Sequence, residues 1–172
     1  MGKRSPLYGT ELAAGAVFGE WFGWELPARF SDPTLEHRAV RDSVGLIDLS
    51  YRGILELTGK DRTRFLNGMV TNDVKSLKLG SAQYTAMLTQ HGKLLADMRI
   101  YALADAYWLD LHEELIPKVR DVLERHLIGD QVEIRDRSGE FTMVALQGPA
   151  SVELLTALEI GEVKSLAEYQ HL

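Results

Sequence analysis

Tyr84-Thr-Ala-Met-Leu-Thr-Gln-His-Gly-Lys-Leu-Leu-Ala-Asp-Met-Arg-Ile-Tyr101 is the stretch that decides the fold. It reads as a β-hairpin. Both arms, Gln83–Thr89 and Leu94–Leu103, are rich in apolar and β-branched residues. Gln90-His91-Gly92-Lys93 supplies the turn, and Gly92 is free to take a positive φ. Asp97 stands out as a lone carboxylate between Ala96 and Met98. Strands are depleted in Asp, and an unpaired buried carboxylate is costly. Asp97 therefore faces water, caps a local backbone turn, or faces a pocket that uses its charge.

Outward from the hairpin, a regular order appears. Ile54–Leu57 reads as a strand and Lys60–Met69 as a helix with Phe65, Leu66 and Met69 on one side. After the hairpin come a strand at Ala106–Leu111, a helix at Ile116–Ile128 and a strand at Gln131–Arg135. Pro117 is acceptable in the first turn of that helix. Residues 54–136 thus read β-α-β-β-(β)-α-β, close to the split-βαβ arrangement of ferredoxin-like folds. On the N-terminal side, Leu7–Ala16 and Asp32–Ser43 read as helices, the second capped by Asp32 or Thr34. Between them the aromatic-dense residues 17–30 read as loop or short extended pieces. Leu46–Ser50 is a strand, and Tyr51-Arg52-Gly53 a kink or bulge. On the C-terminal side, Phe141–Leu146 is a continuous apolar run, expected as a central strand, and Ala150–Leu158 a helix.

Composition narrows the function classes. The chain has 172 residues, a net charge of −6 and 45% hydrophobic residues. That length suits one large domain or two interleaved small ones. An acidic balance argues against nucleic-acid binding, which rests on clustered Lys and Arg. The absence of cysteine removes disulfides, thiol catalysis and cysteine-ligated metals. No apolar run is long enough to span a membrane, and no apolar leader follows the basic start; the cytoplasm is the expected location.

The common catalytic signatures are missing: there is no phosphate-binding loop, dinucleotide fingerprint, nucleophile elbow or His-Glu-x-x-His. The five histidines do not fall at metal-ligand spacing, and His112 reads as a surface position. Arg52 is re-aimed by a bulge or faces solvent. Core packing is the simpler reading of Tyr84 and Tyr101. Spacing alone does not reveal a function.

Seven stretches in register carry more. They are Ser5-Pro-Leu-Tyr8, Phe22-Gly-Trp-Glu-Leu-Pro27, Glu36-His-Arg-Ala-Val-Arg41, Val44-Gly-Leu-Ile-Asp-Leu-Ser50, Leu66 with Thr71-Asn-Asp73, Gln83-Tyr-Thr85 with Gly92 to Tyr101, and Ala145-Leu-Gln-Gly-Pro149. In this order the chain resembles the glycine cleavage T-protein (aminomethyltransferase) superfamily, which includes the folate-binding YgfZ-like proteins. The resemblance covers nearly the whole chain and corresponds to the N-terminal half of that family.

The resemblance implies an α+β fold, with a ferredoxin-like split-βαβ unit at 54–136 inserted in an incomplete α/β domain made of 1–53 and 137–172. It implies tetrahydrofolate in a central pocket and one-carbon transfer to it. Asp97 falls where the family's catalytic acid lies, in contact with the pterin. Arg52, Tyr84, Arg99, Tyr101 and His112 fall near the folate. The lipoyl carrier protein of the glycine cleavage system is the implied partner. Family members continue past this length, so the chain reads as a half that is inactive alone, and its exposed half-pocket favours self-association. Length is the largest departure, and the others are local. Asp48-Leu-Ser-Tyr-Arg-Gly53 stands for the usual Asp-Val-Ser-His-Met-Gly, Ala96-Asp97 stands for a paired Asp, and His112 for an Asn. These lean toward the YgfZ-like branch or a divergent paralogue, and the alternative function is a YgfZ-like folate-binding accessory protein in iron–sulfur cluster maintenance without transferase activity.

Overall fold

The computed structural model describes residues 2–172; Met1, in the expected lead-in, lies outside the described residues. The chain divides into two compact units, Met1–Tyr51 with Thr142–Leu166, and Arg52–Phe141 with Ala167–Leu172.

The first unit begins with β1 (Lys3–Arg4), α1 (Tyr8–Ala13), β2 (Val17–Trp21) and β3 (Trp24–Arg29). Of the loop or short extended pieces expected at 17–30, the extended pieces form, paired as a hairpin. Phe22 and Gly23, both at positive φ, make its two-residue turn. β1 pairs parallel with β3, giving the order β1-β3-β2. Next come α2 (Pro33–Asp42) and β4 (Gly45–Asp48). Asp32 caps α2, its Oδ1 accepting the Thr34 and Leu35 N–H groups at 2.8 and 3.3 Å.

In the second unit, β5 (Arg52–Thr58) leads to α3 (Arg62–Asn67), then β6 (Ala82–Leu88), β7 (Leu94–Ala102) and β8 (Ala106–His112). α4 (Ile116–His126) and β9 (Glu133–Asp136) complete it. The remaining elements, β10 (Val144–Gln147) and α5 (Ser151–Ala157), return to the first unit. β10 pairs only with β4, in a two-stranded sheet. The expectation of a central strand there is corrected, because Val144 is exposed and Phe141 and Met143 lie outside the strand.

The sheet of the second unit has the order β6-β7-β8-β5-β9, with every neighbouring pair antiparallel. This is the split-βαβ order with β6 added at one edge. The hairpin forms as the sequence predicts. Gly92 takes φ +73°, and the Thr89 N–H donates to the Lys93 carbonyl at 2.8 Å. The expected break at 51–53 does not occur; Arg52 and Gly53 are ladder residues opposite His112 and Leu111. Gly53 is there for space. A Cβ would run into Ser138 Oγ and Ile116 Cδ1.

Strand alternation sorts the side chains. Leu55, Leu57, Met98, Ile100, Leu109 and Leu111 face the helices and are fully buried. They pack with Phe65 and Leu66 of α3 and Ile116, Val119 and Leu123 of α4. Each such side chain contributes about 1.5–3 kcal/mol by leaving water. The other face of the sheet carries no helix of this unit, and every residue on the expected site list lies on it.

The unit boundaries differ from the expected 53/54 and 136/137. Residues 52–53 belong to β5. Arg137 N–H donates to the Ile54 carbonyl at 2.9 Å, which keeps 137–141 on the sheet. The Tyr169 carbonyl accepts the Ala82 N–H at 2.6 Å, and His171 N–H donates to the Gly80 carbonyl at 3.0 Å, so 167–172 join the same unit.

Candidate functional site

The helix-free face, open in that sense alone since Ile54, Glu56 and Asp110 on it are buried, is read off the ladder register. Ala82, Tyr84 and Ala86 of β6 stand opposite Tyr101, Arg99 and Asp97 of β7. Arg99 and Tyr101 stand opposite Asp110 and Trp108 of β8. Asp110 and His112 stand opposite Ile54 and Arg52 of β5. All six residues expected from sequence, Arg52, Tyr84, Asp97, Arg99, Tyr101 and His112, therefore share one face of one sheet.

Of the three alternatives left open for Asp97, a local backbone cap is excluded. Its carboxylate stands on the helix-free face, half-buried, with one hydrogen-bond partner among the described residues. The Tyr84 hydroxyl donates to Asp97 Oδ2 at 2.9 Å. That bond raises the Tyr84 phenol above its ordinary range, since losing its proton would set two negative charges side by side. Tyr101 is half-buried on the same strand, and burial raises its phenol too.

Arg52 is neither at a bulge nor in solvent. Its Nε bonds to Asp110 Oδ1 and its Nη2 donates to the Asp110 carbonyl at 2.9 Å. Arg99 approaches the same carboxylate, Nη1 lying 3.8 Å from Oδ2. Asp110 itself is fully buried, and desolvation pushes its carboxyl above the ordinary range despite the arginines. His112 is half-buried rather than on the surface. Desolvation first and Arg52 second lower its pKa, which keeps the imidazole neutral at pH 7.

Sequence reading missed Asp110 and Glu56. Each sits between leucines in an alternating strand, the same signal that singled out Asp97. Glu56 Oε1 accepts Trp108 Nε1 at 3.0 Å and Arg137 Nη1 at 2.8 Å. Arg137 is stacked over the Trp108 and Phe141 rings, its guanidinium carbon 5.4 and 5.2 Å from their centroids.

Residues 7–171 match the family described as the GCVT N-terminal domain. The chain belongs to that family. Among GCVT relatives, the aminomethyltransferase of Bacillus licheniformis is 41% identical over 154 residues, covering 89% of this chain and 42% of that protein. The aminomethyltransferase of Chloroherpeton thalassium is 38% identical, over 91% of this chain and 43% of that protein. Among solved structures, the glycine cleavage system aminomethyltransferase T from Bartonella henselae superposes with a TM-score of 0.89 at 27% identity. It is matched over 98% of this chain and 46% of that one. The chain spans less than half the length of these relatives. Among the described residues, no helix is long and apolar enough to cross a membrane.

Proposed function

We propose that the open face of the second unit binds a reduced folate, and that the chain is the folate-binding part of an aminomethyltransferase of the glycine cleavage type. The observation that carries this reading is the Asp97 carboxylate. It stands on an open sheet face, braced by Tyr84, in a chain of the GCVT N-terminal domain family. Tetrahydrofolate would supply the nitrogens that receive the one-carbon unit from an aminomethylated lipoyl carrier protein, the C–S bond breaking to leave the dihydrolipoyl thiol and the C–N bond breaking to release ammonia, with the two folate N–H protons passing to those leaving groups.

The donor set fits such a ligand. Asp97 accepts only, which suits the N–H groups of an aminopterin edge. Tyr84, by holding Oδ2, leaves Oδ1 as the free acceptor and fixes the carboxylate plane. The Tyr101 ring offers a flat, half-buried wall. Arg99, its Nη1 3.8 Å from Asp110 Oδ2, adds positive charge beside the face. Neutral His112 donates or accepts without adding charge. A carboxylate fixed before the ligand arrives loses little entropy on binding, and it favours positive charge on the nitrogen it faces.

Calorimetric titration of the chain with 5-formyltetrahydrofolate tests the reading. Wild type is expected to bind and Asp97→Asn to bind about tenfold or more weakly, the scale of a hydrogen bond to a charged group. Absence of binding by both proteins rejects the folate reading. Binding without formation of a one-carbon folate, when an aminomethylated lipoyl carrier is supplied, rejects the transferase part alone.

A further inference from the structure

Asp110 is the most enclosed charged side chain on the open face, with 0% exposure. Arg52 gives its Nε to the carboxylate and its Nη2 to the Asp110 main-chain carbonyl, and Arg99 Nη1 lies 3.8 Å from Oδ2, which accepts no hydrogen bond among the described residues. Arg99 follows Asp97 by two residues on β7 and shares its face. Same-face neighbours on a strand are about 7 Å apart, so an extended guanidinium reaches from one to the other. Two carboxylates thus compete for the arginines. Asp110 holds both, and Asp97 keeps only the Tyr84 hydroxyl. Glu56, also on this face, is already engaged by Arg137 and Trp108.

We propose that Asp110 is a positioning residue whose charge holds Arg52 and Arg99 against β8 and so keeps Asp97 open as an acceptor for the ligand. The identity of that ligand rests on the folate reading above; the arginine–carboxylate balance does not. Without the Asp110 charge, two cations share a half-buried patch in which Asp97 is the carboxylate left to them, Glu56 being engaged, and an uncompensated buried charge is costly. Arg99, half exposed and free of hydrogen bonds, is the one that moves. Its guanidinium settles on Asp97, fills the acceptor positions with its own N–H groups and displaces the ligand.

The test combines Asp110→Asn with Arg99→Gln. Asp110→Asn is expected to bind 5-formyltetrahydrofolate about tenfold more weakly, the scale of a hydrogen bond to a charged group. Asp110→Asn/Arg99→Gln is expected to recover most of that loss, because no guanidinium is left to occupy Asp97. A ligand-free readout runs beside it. The Tyr84 phenol, followed by NMR titration, should fall in Asp110→Asn, where Arg99 draws charge away from the Tyr84 bond, and should return in the double variant. Unchanged binding and an unchanged Tyr84 titration in Asp110→Asn overturn the proposal. So does a loss that Arg99→Gln fails to recover, which would make Asp110 a packing residue. If wild type binds no folate, the functional reading falls and the Tyr84 titration alone decides the proposal. If Asp110→Asn does not fold, Asp110→Asn/Arg52→Gln removes the second orphaned cation, and the same Tyr84 readout applies.

Discussion

Tyr84 and Asp97 sit on adjacent antiparallel strands as diagonal neighbours, Tyr84 opposite Arg99 and Ala86 opposite Asp97, and are joined by a 2.9 Å hydrogen bond. The bond is the main cause of the raised Tyr84 pKa. Asp97→Asn removes the charge, so the phenol should titrate lower than in wild type. Ultraviolet difference titration of the tyrosines checks this. An unmoved Tyr84 titration would show that the pair does not form in solution.

Arg52 and Asp110 give a prediction of a different size. Arg52→Ala leaves a fully buried carboxylate without its main partner, a loss of about 3–5 kcal/mol by analogy with broken buried ion pairs. The double variant Arg52→Ala/Asp110→Asn should be more stable than Arg52→Ala alone. Urea denaturation of both decides it. Equal losses in the two would mean that Arg52 acts through its aliphatic stem.

Sheet alternation predicts a contrast within one strand pair. Leu109→Ala, on the helix-covered face, should cost about 2–5 kcal/mol. Arg99→Ala, on the open face and half exposed, should change stability by less than about 1 kcal/mol. A chevron or equilibrium melt of each measures this, and comparable losses at both positions would contradict the one-sided core.

Glu11 supplies a pH dependence in the first unit. It is buried beside Asp48, and desolvation followed by the neighbouring carboxylate pushes it from 4.5 up to about 7. A raised folded-state pKa favours the protonated form. Its stabilising contribution is therefore complete below about pH 4.5 and is lost as pH rises to about 7. The advantage of Glu11→Gln over wild type should grow across that window, by up to about 3 kcal/mol. Denaturation at pH 5 and pH 8 measures it; a constant difference would place Glu11 in water.

Gly53→Ala should destabilise by about 1–3 kcal/mol through overpacking, since the added methyl collides with Ser138 and Ile116. Thermal melts of the two proteins suffice. A neutral substitution would mean that the Arg137–Glu140 turn yields.

Much of this was legible in the sequence. The hairpin was, because Gly92 and the flanking apolar arms state a turn and two strands without tertiary help. α2 was, because Asp32 caps it locally. The extended pieces of the aromatic stretch 17–30 were legible but their pairing was hidden, since Phe22 takes a left-handed conformation that its side chain does not advertise. The 51–53 break was misread because Gly53 looks like a flexible point, whereas it answers a steric demand from Ser138, far away in the chain. For the candidate site, the resemblance named six residues, and the ladder register sets them on one face. Asp110 escaped because its importance lies in burial and in an arginine 58 positions away, neither of which a one-dimensional pattern carries.

The alternation of β7 has a consequence for how this chain can vary. Asp97, Arg99 and Tyr101 face one way and Ala96, Met98 and Ile100 the other. Substitutions on the polar side leave the packed side untouched, so the chemistry can drift residue by residue over a constant scaffold. A single deletion between Thr89 and Lys93 has no such latitude. If the second arm slips by one residue, the methionine and isoleucine come to the surface and the aspartate and arginine are driven into the core. The hairpin is open to exchange of letters and closed to changes of length.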